Sequence, residues 1–134
     1  MNNTSQDQRQ TLTRATMTIL DSWNLGAEEI SALLGLPESV RARALQKFRS
    51  HEAFPEDPSI DRRADYLLRI AGALRTSYPI HPSMGGRWLR QRHRRLGRTP
   101  LSLMLEDGEN GLVRVLAELD CTVCWDLNAG AKIN

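Results

Sequence analysis

Apolar residues recur along this chain at the period of an α-helix, and prolines and glycines punctuate the runs that keep the period. From Leu12 the positions Leu12, Thr16, Ile19, Leu20 and Trp23 follow the i, i+4, i+7, i+8, i+11 series of one amphipathic face. A short second helix over Ala27 to Leu34 turns Ile30, Leu33 and Leu34 inward and meets Gly35 just past its end, where a left-handed backbone is free of Cβ strain. Leu36 and Pro37 follow. Proline in a first turn, with Glu38 beside it at the positive end of the dipole, predicts a third helix from there to about Arg49. His51 to Pro58 carries two prolines and no period, so it reads as a loop. Ser59 is then expected to cap the longest helix, with Ile60, Ala64, Leu67, Ala71, Leu74 and Tyr78 inside and Arg62, Asp65 and Arg69 outside.

Pro79, Pro82 and Gly85-Gly86 interrupt the pattern and suggest a domain boundary. Beyond it, Trp88 and Leu89 open a short helix that Gly97 ends. Thr99-Pro100 is a strong helix start, a hydroxyl cap followed by a proline with no N–H to leave unsatisfied, and Leu101, Met104 and Leu105 supply its inner face. Gly108 stops that helix. The last clear one puts Leu112, Val115, Leu116 and Leu119 on one side, whereas for Cys121 to Leu127 the periodicity leaves a short strand, an extended arm and a fraying helix equally open. The chain is therefore expected to be all-α, with a loose polar tail over residues 1–10, one helical domain over 11–80 and a smaller one over 81–134.

At 134 residues, 40% apolar and 25% charged, the chain has the composition of a folded globular protein and is too short for a large two-domain enzyme. The amino terminus lacks the apolar stretch of a signal peptide, and no run approaches the ~20 residues needed to span a bilayer, so a cytoplasmic protein is expected. The net charge of +2 hides a polarity: Arg87, Arg90, Arg92, Arg94, Arg95 and Arg98 fall within twelve residues, and Glu106, Asp107, Glu109, Glu118 and Asp120 then face only Arg114. Such polarity suits a protein with two kinds of partner, one of them an acidic polymer.

Helix, glycine-bearing turn and helix between Ala27 and Arg49 form the outline of a helix-turn-helix, which lays its second helix into the major groove of DNA. That second helix offers Ser39, Arg41, Arg43, Gln46 and Lys47 and little acid after Glu38, a set suited to phosphates and base edges. Cys121 and Cys124 form a C-x-x-C, but His51, His81 and His93 are scattered without finger spacing, so both cysteines read as small apolar residues and no metal is expected. Trp23 and Trp88 read as core anchors, and Trp125 as core or partner surface. No phosphate loop and no nucleophile-base-acid grouping presents itself, so neither a cofactor nor an enzymatic activity is expected.

Several of these residues carry a family resemblance. Arg87-Trp88-Leu89, then Leu96-Gly97-Arg98-Thr99-Pro100-Leu101, then Leu105, Gly108, Gly111, Val115 and Leu119 make the second half resemble the toxin-binding domain of the Xre/MbcA/ParS antitoxins. The first half is similar to the Xre-like helix-turn-helix of that family through Leu33-Leu34-Gly35-Leu36-Pro37 and the later Arg63, Leu67-Leu68-Arg69-Ile70 and Ala73-Leu74. Two departures stand out: Leu36 to Val40 is one residue tighter than the usual helix-turn-helix pattern, and Arg90 to Arg95 is more basic than the family's usual polar stretch.

The resemblance implies a type II antitoxin that binds a RES-domain toxin, an NAD-consuming enzyme, covers its active site, and represses its own operon as a dimer on operator DNA. It implies toxin contacts from Trp88, Arg98, Pro100, Leu101 and Leu105, and from a carboxyl-terminal arm, Trp125 to Asn134, that includes Lys132. The competing expectation is a stand-alone helix-turn-helix regulator, which a neighbouring reading frame for a RES-type protein would exclude.

Overall fold

The computed structural model describes the backbone of residues 2–79 and 83–132 and the side chains of residues 5–79 and 83–120. Among these the secondary structure is helical throughout: α1 (Asn2–Ser22), α2 (Ala27–Leu34), α3 (Ala42–Ser50), α4 (Pro58–Ser77), α5 (Ser83–Leu89) and α6 (Pro100–Lys132). The expected all-α fold is what forms. Two compact units, Met1–Leu68 and Arg69–Asn134, divide the chain inside α4, while the Pro79 to Gly86 break separates α4 from α5 within the second unit.

In the first unit α1 packs on α3, and Met17, Leu20, Ile30, Leu33, Leu34, Leu45 and Ile60 are almost wholly buried, as the helical stripes require. Trp23 is buried as well, and Phe48 meets Phe54 edge-on with ring centroids 5.1 Å apart. The amino terminus departs from the expected loose tail, because α1 starts at Asn2. Its first turns carry no apolar stripe and are held by polar contacts instead. Arg9 reaches Asp61 at 3.1 Å and the Pro55 carbonyl at 2.7 Å, Gln10 donates to the His51 carbonyl at 3.1 Å, and buried Thr13 accepts from the Phe54 N–H at 3.0 Å.

The predicted third helix also starts later than proline placement suggested. Gly35 ends α2 at φ 68°, with Leu36 donating to the Ser31 carbonyl at 3.0 Å, as in a Schellman termination. Val40 then donates to the Pro37 carbonyl at 2.9 Å, which commits Pro37 to a tight turn rather than to an α-helical start. Ser39 therefore sits in the turn, Arg41 is the residue that precedes α3, and the helix proper opens at Ala42. A second correction concerns α4: its cap is Asp57, whose Oδ1 accepts from the Ser59 N–H at 2.8 Å, and Pro58 takes the first helical position.

In the second unit α5 packs on α6. Gly85 and Gly86, expected to break structure, lie inside α5 and are buried with Leu89, so the inner face of this helix is made largely of backbone. Trp88 sits beside that line and is only half-buried, unlike the core anchor expected of it. The chain leaves the helix after Leu89, so Arg90 to Arg98 lies on a loop and not on the helix that Gly97 was expected to close. Gly97 provides a left-handed corner at φ 76°.

The Thr99-Pro100 start forms as expected, with Thr99 Oγ1 accepting from the Ser102 N–H at 3.1 Å. Gly108 interrupts α6 at φ 61°, ψ −134°, so α6 is two helical segments. They return on each other so closely that a Cβ at Gly111 would overlap the Leu103 carbonyl and come within 3.0 Å of the Met104 Cα. Leu103, Met104, Leu112, Val115 and Leu119 fill this hairpin. The backbone stays helical from Cys121 to Lys132, which decides the segment that periodicity left open.

Candidate functional sites

One candidate site surrounds α3. Ser39, Arg41, Arg43, Gln46 and Lys47 are all exposed, so the residues expected at a DNA surface do reach solvent on the turn before α3 and on its first six residues. Leu45 and Phe48 fix the opposite side of α3 in the core. Arg41, Arg43 and Lys47 make no ion pair with any described carboxylate, and an open hollow of about 700 Å³ runs beside them, lined also by Val40, Ala44, Glu52 and Pro55. Their charge is available to an anionic partner.

Two arginines brace this element. Arg49 donates to both carboxylate oxygens of Asp21 at 2.9 Å, tying α3 to α1, and those hydrogen bonds raise the guanidinium above its usual pKa. Arg63 lies across the end of α2, within 2.9 Å of where a Cβ on Gly35 would stand, and its Nη1 approaches the Ala32 carbonyl at 3.4 Å. The sequence placed Arg63 beside the motif without a reason; the reason is that it covers the last turn of α2.

The second candidate site is built on α5, the loop after it and the α6 hairpin. Trp88 stacks against His93, centroids 4.5 Å apart and planes tilted by 38°, and the His93 Nε2 lies 3.0 Å from the Trp88 carbonyl. Leu96 is buried and anchors the loop's far end, so the loop is a built turn. Arg98 pairs with Glu106 and, at 2.6 Å, with Asp107, both in the first segment of α6. Arg95 Nε lies 4.0 Å from Glu118. The acidic stretch that followed the arginines in sequence is thus partly answered by them in space.

Of the residues expected to meet a toxin, Pro100 and Leu101 are buried in this chain, whereas Trp88, Arg98 and Leu105 keep part of their surface. The side chains of Trp125 and Lys132, and Asn134 altogether, lie outside the described residues. Among the described residues Val113, 42% exposed, is the large apolar residue most open to solvent, and the sequence reading passed over it. Its signal was legible: it is apolar yet stands off the Leu112, Val115, Leu119 stripe.

Residues 82–121 match the family model described as the antitoxin Xre/MbcA/ParS C-terminal toxin-binding domain. Over that segment the chain is similar to the toxin-binding domain of the Xre/MbcA/ParS antitoxins. The matched segment coincides with the second site, from the start of α5 to the end of the Leu112–Leu119 stripe. No curated protein matches the chain. In the matched segment Gly108 and Gly111 acquire a physical role, since they let the two segments of α6 close on each other. No group of three or more metal-ligating side chains occurs among the described residues, and no described helix is long and apolar enough to cross a membrane.

Proposed function

We propose that this antitoxin neutralises a RES-domain, NAD-consuming toxin in the cytoplasm by covering its active site, and that it represses its own operon as a dimer through α2 and α3. The observation that carries the reading is the coincidence of the family match with a built surface: the α6 hairpin is closed by glycines and capped by Thr99, and Trp88, Leu105, Val113 and Leu116 keep apolar area exposed beside it. Partly exposed aromatic and aliphatic anchors on a rigid support are what a protein interface uses. Pro100 and Leu101 serve this surface from beneath by fixing the start of α6. The chain beyond Leu119 continues as helix to Lys132, and we assign Trp125, Lys132 and Asn134 to the arm that approaches the toxin's substrate pocket.

DNA binding is supported by the exposed, unpaired cations on α3 and on the turn before it. Direct contacts come from Arg43, Gln46 and Lys47 on the helix and from Ser39 and Arg41 at its entrance, the part of a recognition helix that faces base edges.

Two measurements test the reading. Co-expression of the chain with the toxin encoded beside it should restore growth and cellular NAD, and Trp88→Ala with Val113→Asp should abolish both effects and co-purification while the protein stays folded. Duplex DNA from upstream of the operon should bind with a steep salt dependence that Arg41→Ala, Arg43→Ala and Lys47→Ala together flatten. Unchanged growth rescue in the first case, or an unchanged salt slope in the second, removes the corresponding half.

A further inference from the structure

The arginines of the second unit are not used up by the hairpin. Arg98 is consumed by Glu106 and Asp107, and Arg95 stands near Glu118. Arg87, Arg92 and Arg94 are exposed and have no carboxylate partner among the described residues: Arg87 touches only the Met84 sulfur at 3.8 Å, and Arg92 only the Gly97 carbonyl at 3.4 Å. Arg87 lies in the last turn of α5, and the loop that displays Arg92 and Arg94 after it is held at both ends, by the Trp88–His93 stack and by buried Leu96, with the Gly97 N–H donating to the His93 carbonyl at 2.9 Å. Three full positive charges are thus presented from a helix end and the fixed turn that follows it.

We propose that this loop is a second, sequence-independent contact to the phosphate backbone of duplex DNA, made by the toxin-binding domain itself. The inference rests on the DNA-binding reading of α3 and extends it to the other compact unit. The chemistry favours phosphate over an acidic protein face. Exposed side chains from Arg90 to Arg95 are charged or polar, with His93 half-buried, and offer no apolar residue for the desolvated centre that a protein interface needs. Guanidinium groups keep their charge at any working pH and donate to phosphate oxygens in pairs, and a duplex repeats those oxygens at every step, so no matched set of carboxylates is required.

The test uses the full chain with Arg87→Ala, Arg92→Ala and Arg94→Ala, a matched variant with lysine at the three positions, and the α3 triple variant. Binding to a random-sequence duplex and to the upstream duplex is followed by fluorescence anisotropy across a salt series. The alanine variant should lower the slope of log K against log salt by roughly 0.9 per arginine that touches phosphate, on both duplexes alike, and the lysine variant should restore it. A wild-type slope in the alanine variant overturns the proposal while leaving the α3 reading intact. Absence of duplex binding by the wild-type protein overturns both. If the alanine variant keeps the slope but no longer co-purifies with the toxin, the loop belongs to an acidic face of that partner instead. Circular dichroism of each variant confirms that the hairpin has formed.

Discussion

Gly111→Ala would set its Cβ against the backbone of Leu103 and Met104, where no side chain can move aside. Relief requires the two segments of α6 to separate, so this single methyl should cost ~2–4 kcal/mol and uncouple the hairpin from the Leu112 to Leu119 face. A urea titration measures the loss, and co-purification with the toxin should fail in parallel. Gly35→Ala is milder. Its φ of 68° costs a non-glycine residue ~1–2 kcal/mol, but the group it would press is the flexible Arg63 side chain, which can swing away. Gly35→Ala should therefore lower stability by about that amount, and adding Arg63→Ala should recover little of it because the strain lies in the backbone. Asp21→Ala, by contrast, removes a bidentate pair whose members are about a third exposed, and about 0.5–1 kcal/mol is expected in the same titration.

Helix α3 acquires its function from where it begins. A start at Pro37 would have put Ser39 and Arg41 on the helix; the Pro37 to Val40 turn moves them to its entrance and leaves α3 only nine residues long. So short a helix is marginal alone and is held by Leu45, Phe48 and the Arg49 to Asp21 pair. Phe48→Ala should for this reason unfold α3, the element proposed to bind DNA, first, with duplex affinity lost at temperatures where the far-ultraviolet signal of the second unit persists. The start of α6 is governed differently. Thr99 and Pro100 set it locally, and Thr99→Ala should lower the melting free energy by ~1 kcal/mol, whereas Thr99→Ser should be nearly neutral.

The division of the chain at Leu68/Arg69 changes how its activities can be separated. A fragment that begins at His81 leaves out Arg69 to Ser77, whose Ile70, Ala71 and Leu74 are buried and belong to the second unit. Each large aliphatic side chain so removed forfeits roughly 1.5–3 kcal/mol of burial, more than so small a unit can spare. A fragment from Arg69 should accordingly be better folded by circular dichroism, and neutralise the toxin better, than one from His81. Truncation after Leu127 is expected to weaken neutralisation while leaving duplex binding unchanged, with circular dichroism of the truncated chain as the check on its fold.

Local rules in the sequence determined most of the helical scaffold. The stripes from Leu12 to Trp23, Ile60 to Leu74 and Leu112 to Leu119 are periodic enough that burial could follow only one face, and Gly35, Thr99-Pro100 and Gly108 act within a few residues of themselves. Those same residues made the toxin-binding motif legible. Tertiary structure alone decided the first turns of α1, because Arg9 and Thr13 are anchored by partners more than forty positions away that no periodicity encodes. It alone placed Gly85 and Gly86 inside a helix and buried them, since burial depends on neighbours that local helix propensity does not encode. It also sorted the arginines, leaving Arg98 neutralised and Arg92 and Arg94 without a carboxylate among the described residues, because charge in a sequence is a sum, whereas pairing depends on which carboxylates the fold brings within reach.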